Sequence, residues 1–439
     1  MSRSGVAGAA RLPTMPHRRR RRSRFFRPIL RPFAGRRLPR ELRVRRVGRI
    51  AEKLPQGVRD PAFEVLLERI DGAPVLGGNQ VEVYFNGREA FAAMREAVLA
   101  AKHEILLESY IFKDDTIGRG ALDNLAAAAE RGVTVRVIAD AMGSLETRDE
   151  FWEEMRRRGI EVHLFHPLFS KIWYQPFRDH RKILVVDREV GFTGGMNIGE
   201  EYGSPFARPG ETWRDSHVRV AGPAVWEMTV VFQESWVQAG GEPFDLDTLP
   251  AAAADAPGAR ILTLDSRPKR GQAESASVLA AIAAAARRTL WITNAYFAPG
   301  YAALKVLGKA ARRGVDVRLL LPGKTDVPIV RHAGHGFYLD LLKRGVKVFE
   351  YEPSILHAKT LVADGYVSVV GSTNLDFRSF LFNSECDLVI LDPATAGKLE
   401  AAFRADLTQA QEVLLEDWQR RPLLHRLGDR LARMLAPVL

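Results

Sequence analysis

DHRKILVVDREVGFTGGMN, residues 179–197, and LHAKTLVADGYVSVVGSTN, residues 356–374, are one pattern written twice. Aligned without a gap, they match His180 with His357, Lys182 with Lys359 and Asp187 with Asp364. They go on to match Gly194 with Gly371, Gly195 with Ser372 and Asn197 with Asn374. At ordinary residue frequencies so constrained a pattern arises by chance on the order of 10⁻⁶ to 10⁻⁵ times in such a chain. Two copies are therefore a duplication. Apolar runs inside each copy (Leu184, Val185, Val186 and Leu361, Val362) mark strands, in which residues two apart share a face. His180 and Lys182 project together, and so do His357 and Lys359.

Outside the motif the repetition continues. ILLESYIF (105–112) parallels LWITNAYF (290–297), and ERGVTVRVIAD (130–140) parallels RRGVDVRLLLP (312–322). RRGIEVHLF (157–165) parallels KRGVKVFEY (343–351). In each unit a glycine closes a helix and a Val-rich run opens a buried strand. The alternation predicts an α/β fold built twice, each domain a sheet flanked by helices. We divide the chain into a basic, disordered arm (1–50), a first domain (51–240), a linker (241–258), a second domain (259–415) and a C-terminal amphipathic helix (416–439).

The 439 residues are 46% apolar and 27% charged, a globular composition. Net charge is +11, yet residues 1–50 hold seventeen arginines, no lysine and one acid, so the arm is +16 and the remainder −5. An acidic body argues against a basic groove for nucleic acid, and no nucleic-acid partner is expected. The arm, with Phe25, Phe26, Ile29, Leu30 and Phe33 among its arginines, reads either as a solvated tail or as an anionic-lipid anchor. The single cysteine, Cys386, excludes an intramolecular disulfide and a cysteine-based zinc site. No apolar run is long enough for a transmembrane helix, and the N-terminal arginines lack the apolar segment of an export signal.

Histidine serves as nucleophile or general acid near neutral pH, and a lysine on the same face supplies positive charge. The Gly-[Gly/Ser]-x-Asn turn brings backbone close to a ligand and adds a neutral donor, Asn197 or Asn374. One copy holds half of a phosphate site, and two copies about a pseudo-twofold would complete it without metal or cofactor. Asp187 and Asp364, at the strand ends, read as residues that fix the fold through ion pairs. Each imidazole also needs an acid to orient it. Aligning DSHVRVAG (215–222) with ECDLVILD (385–392) selects Asp215 for His180 and Glu385 for His357.

These residues resemble the phospholipase D superfamily, whose duplicated HKD motifs build one shared active site. Within it the chain is similar to bacterial cardiolipin synthases, over roughly residues 79–439. The resemblance rests on VEVYFNGREAFAAMREAVLAAKHEILLESYIFKDD (81–115), the first motif followed by WRDSHVRVAGPAV (213–225), and HAKTLVADGYVSVVGSTNLDFRSFLFNSE (357–385). It implies two phospholipase D-like domains and a phosphatidyltransferase that joins two phosphatidylglycerol molecules into cardiolipin and glycerol. A phosphatidyl-histidine intermediate is implied, with His180 as nucleophile by family analogy. Hydrolysis to phosphatidic acid, transfer to another alcohol, and HKD nuclease action are the alternatives. Many such synthases begin with two transmembrane helices, where this chain has its basic arm. The expected location is the cytoplasmic side of the membrane, peripheral, with anionic phospholipid as partner.

Three features stand apart. Leu423, Leu424, Leu427, Leu431, Met434, Leu435 and Val438 recur at helical spacing beside His425, Arg426, Arg430 and Arg433. That stripe suits either a membrane interface or docking on the protein's own core. His332 and His335 lie three apart on a predicted helix, without a metal role assigned. Trp213 and Trp236 read as packing residues, and Gly323-Lys324-Thr325 lacks the first glycine of a P-loop.

Overall fold

The computed structural model describes residues 40–167, 177–208, 210–246, 257–267 and 274–436. The first half contributes strands β1 (Leu76–Tyr84), β2 (Glu104–Ser109), β3 (Thr134–Asp140), β4 (Glu161–Phe165), β5 (Arg178–Asp179), β6 (Ile183–Val186), β7 (Val190–Gly194) and β8 (His217–Ala221). The second contributes β9 (Ala259–Ser266), β10 (Thr289–Asn294), β11 (Phe297–Ala298), β12 (Asp316–Pro322), β13 (Lys347–Tyr351), β14 (Lys359–Ala363), β15 (Val367–Gly371), β16 (Leu375–Asp376), β17 (Asn383–Leu391) and β18 (Ala410–Glu412).

One mixed sheet runs through both halves in the order β18-β13-β12-β10-β14-β15-β17-β9-β1-β8-β7-β6-β2-β3-β4. Leaving out β18, the order is symmetric about its middle, where β9 and β1 pair antiparallel. Along this order three strands in each half are parallel (β2-β3-β4; β10-β12-β13) and the other neighbours antiparallel, while β5 joins β17, and β11 joins β16, in parallel. This is the predicted duplicated α/β architecture, about a pseudo-twofold at the β1–β9 seam. The motif strands β6 and β14 lie well inside the sheet. Every side chain of β6 is buried, as expected for a strand covered on both faces. The helix-closing glycines also behave as read: Gly132, Gly159, Gly314 and Gly345 have φ of 90°, 84°, 91° and 84°, a left-handed turn that glycine takes without steric cost.

Two expectations change. The reading of residues 1–50 as a uniformly disordered arm fails at its end, because Arg40–Ala51 is a helix. Val44, Val47 and Ala51 recur at helical spacing and are buried, packing on the helix Glu274–Ala285. Each buried valine contributes about 1.5–3 kcal/mol, enough to order a short segment whose other faces carry arginine. Residues 1–39 lie outside the described residues, as do 247–256 of the linker. The second change is at the C-terminus, where the single helix expected over 416–439 is broken at Arg421–Pro422 into Leu415–Arg420 and Leu423–Leu435. Of the two open readings of the leucine stripe, docking on the core through it is not what the latter helix shows. It buries Asp429, Ala432 and Ala436 instead. Among the described residues no helix is long and apolar enough to cross a membrane.

Candidate active site

The His–Lys pairs lie in the segments leading into β6 and β14 rather than on the strands, with Lys359 alone opening β14, so the expected strand alternation does not place them. His180 and Lys182 are buried, and so are His357 and Lys359. Lys182 Nζ donates to the carbonyl of His180 at 2.7 Å, and Lys359 Nζ to that of His357 at 2.5 Å. The intervening Arg181 ion-pairs with Asp265 of β9 at 2.6 Å, tying the first motif to the second half.

Asp215 and Glu385 orient the histidines, but each serves the other ring from the one expected. Glu385 Oε2 lies 3.0 Å from His180 Nδ1, and Asp215 Oδ2 lies 2.7 Å from His357 Nδ1. The crossing follows from backbone pairing between the halves. β5, just before His180, runs parallel to the start of β17, and His180 N donates to Ser384 O at 2.9 Å. Reciprocally, Arg214 bridges Leu356, and His357 N donates to Arg214 O at 2.8 Å. Each motif's lead-in is stitched to the partner half, so each histidine meets the partner's acid. Alignment of repeats finds equivalent positions; it cannot tell within-half from between-half contacts.

Asp187 and Asp364 fix the fold, though not by the expected ion pairs. Asp187 Oδ1 accepts from the backbone N–H of His103 and Glu104 at 2.8 and 2.9 Å, and Oδ2 from Lys102 at 2.8 Å. Asp364 repeats this with Arg287, Arg288 and Thr289, at 2.8, 2.8 and 2.9 Å. Both residues turn the chain with φ of +52°. A carboxylate has lone pairs for three such donors, which are the amides opening β2 and β10.

The motif turns differ between halves. A Cβ on Gly195 would lie 2.1 Å from Asp215 Oδ1, so glycine is needed there to admit the carboxylate. Its counterpart Ser372 instead donates to Glu385 Oε2 at 2.6 Å and accepts from Cys386 N at 3.0 Å. Asn197 is committed to the protein: Oδ1 accepts from Ile111 N at 3.1 Å and Nδ2 donates to Tyr202 Oη at 2.7 Å. Asn374 is equally buried, but its Oδ1 has no partner among the described residues.

Burial sets the electrostatics. It pushes His180 well below the usual histidine value, aided by the charges of Lys182 and Lys359. His357 falls to about 4 through burial and Lys359. Lys359 Nζ lies 2.8 and 2.9 Å from the two ring nitrogens, across the ring rather than along one lone pair, so it acts as a charge. Burial also lowers Lys182 to about 7 and Lys359 to about 8. Glu385 rises to about 7 by burial. Burial would raise Asp215 too, but the facing His357 and Lys359 overcome it and hold the acid below its usual value.

Aromatic rings that motif reasoning missed enclose the histidines. Tyr110 lies 4.9 Å from His180, centre to centre, and Tyr296 lies 5.7 Å from His357. Each follows the strand that ends its apolar run, Tyr110 directly after β2 and Tyr296 two residues after β10, so the gap-free repeat alignment does not pair them. Trp213 and Tyr202 flank His357 at 5.2 and 5.5 Å, so Trp213 lines the site, whereas Trp236 is core. Arg378 adds positive charge that acts on His180 and Tyr110.

The sequence profile described as "Cardiolipin synthase, PLD-like domain" matches residues 94–203 and 278–407, so each matched segment contains one motif. The chain belongs to the PLD-like cardiolipin synthase family. It is 32% identical to cardiolipin synthase 1 of Bacillus anthracis over 434 residues, 96% of this chain and 82% of that protein. It is 36% identical to cardiolipin synthase A of Pseudomonas aeruginosa (strain PAO1) over 375 residues, 85% of this chain and 76% of that one. The fold is that of a phosphatidylserine synthase from Haemophilus influenzae, with TM-score 0.68 and 12% identity over 90% of this chain and all of the other. In this member of the family both histidine–lysine pairs and both orienting acids are present.

Proposed function

We propose that the protein is a phosphatidyltransferase that makes cardiolipin and glycerol from two phosphatidylglycerol molecules. It would work as a peripheral enzyme at the cytoplasmic face of the membrane. The observation that carries the reading is the pair of buried imidazoles whose Nδ1 atoms are each held by a carboxylate, which turns each Nε2 away from its acid, that of His357 beside Lys359 Nζ. Relatives named cardiolipin synthase direct the choice of substrate.

Nε2 of His180 attacks the phosphorus of the donor lipid, and the P–O bond to glycerol breaks. His357, paired with an ionised Asp215, donates the proton that the departing glycerol oxygen takes. It then accepts the hydroxyl proton of the second phosphatidylglycerol, whose oxygen attacks phosphorus and releases His180. Burial and the lysine charges hold both rings neutral in the empty site, and the ionised Asp215 makes His357 the ring better able to hold a proton once an anionic phosphate is bound. The positive charges of Lys182 and Lys359 stabilise the non-bridging oxygens, the part a metal takes elsewhere, and the amide of Asn374 assists.

The test is to incubate the purified protein with phosphatidylglycerol vesicles in the presence of a metal chelator and analyse the lipids by mass. Cardiolipin with equimolar glycerol supports the reading. Phosphatidic acid alone would make the enzyme a hydrolase. Denaturation in detergent at neutral to mildly alkaline pH, which spares the acid-labile N–P bond, should trap phosphatidyl on His180, and a His180→Ala variant that still forms the adduct would move the nucleophile to His357.

A further inference from the structure

The helix Leu423–Leu435 is built inside out. Leu423, Leu424 and Met434 are 77%, 80% and 76% exposed, and Leu427 and Leu431 are 54% and 57% exposed. Asp429, the one acid of the helix, is 3% exposed. A helix held by hydrophobic burial would show the reverse.

The inversion is enforced by contacts with the helix Pro328–Leu342. Backbones meet closely at Gly336, where a Cβ would lie 2.8 Å from Asp429 O. Asp429 is clasped by His332 Nδ1 at 3.1 Å, by His335 Nδ1 at 3.8 Å and by Arg421 at 2.9 Å. Arg433 ion-pairs with Asp340 at 2.8 Å, and its NH1 donates to Gly336 O, also at 2.8 Å. With Ala432 and Ala436 filling the remaining seam, the leucine face is locked outward.

At 3.6 residues per turn the apolar side chains occupy an arc of ~120°, and Arg426 and Arg430 fall on one flank of it, beside Arg433, which is committed to Asp340 and Gly336. This is the pattern of a helix that lies in an anionic bilayer surface, apolar face among the acyl chains and arginines among the phosphates. The helix is linked to the site through one element. Pro328–Leu342, on which it rests, follows Asp326, which accepts a hydrogen bond from Tyr296 at 2.8 Å, and Tyr296 faces His357. Other exposed apolar residues follow site residues closely in sequence: Phe206 after Tyr202, Tyr301 after Tyr296, and Ile329 after Asp326.

We propose that Leu423–Leu435 is a preassembled docking helix that seats the mouth of the active site on an anionic phospholipid bilayer. The choice of a lipid surface rests on the phosphatidyltransferase reading. The experiment compares the full chain with a Leu424→Glu/Leu431→Glu variant, both sites being solvent-exposed. Association with phosphatidylglycerol vesicles is measured by flotation at about 1 M salt, where the Debye length of ~3 Å screens the N-terminal arginines and leaves apolar insertion. Turnover is measured on the same vesicles and on phosphatidylglycerol in detergent micelles.

The expected result is about tenfold weaker vesicle association, a matching fall in vesicle turnover and micellar turnover within about twofold. Unchanged vesicle association would overturn the proposal. So would an equal loss in micelles, which would give the stripe a role in the fold. A wild-type dimer that the variant converts to monomer, with vesicle association intact, would make a second copy the occupant instead. Wild-type protein that floats with vesicles but forms no new phospholipid would sink the enzymatic reading and leave the docking helix standing.

Discussion

Asp215 and Glu385 hold equivalent imidazoles in different electrostatic states. Asp215 is kept ionised by His357 and Lys359, whereas burial lifts Glu385 to about 7. An amide imitates a half-protonated carboxyl better than a carboxylate. Asp215→Asn should therefore lower kcat by about 10³–10⁴, and Glu385→Gln by about tenfold less. Transfer assays on variants with unchanged circular dichroism check the order, and equal losses would count against it. Lys182 and Lys359 set the pH response. In the proposed reaction their charge is needed on the phosphate oxygens, and it is lost as pH rises through about 7 and about 8. The alkaline limb of kcat/KM should fall in that interval, and that of kcat higher, because bound phosphodiester favours the charged amines. A pH–rate profile flat to pH 10 would show that burial does not depress them.

At the scale of elements, Asp187 and Asp364 act as caps for strands rather than as reagents. Asp187→Ala strands three backbone donors and places alanine at a positive φ, at a cost of about 2–4 kcal/mol. Asp187→Asn should cost less, because asparagine keeps an acceptor and tolerates that backbone. Urea unfolding measures both, with turnover per folded molecule expected to stay near wild type; a selective loss of kcat would return Asp187 to the chemistry. The strand periods, the helix-closing glycines and the paired His–Lys units were legible because each depends on spacing within a dozen residues. The helix Arg40–Ala51 was not read, since its arginines and the preceding prolines hid a spaced valine–valine–alanine face whose partner lies over two hundred residues away.

Among the described residues one sheet continues across a pseudo-twofold, with the acids beside the two histidines exchanged between halves. Neither residues 40–246 nor 257–439 alone should be active, because each lacks the acid for its own histidine and exposes the β1–β9 seam. Co-expression of the two pieces should restore transfer, and activity from one piece by itself would refute the exchange. The sequence alone determined that two copies of a histidine–lysine unit lead into buried strands and that two acids accompany them, because those facts follow from local periodicity and repetition. Which acid meets which ring, and that a leucine-rich helix turns its apolar face to solvent, were decided only by tertiary structure. Both depend on backbone pairings and ion pairs between segments distant in the chain, whose partners no local pattern specifies.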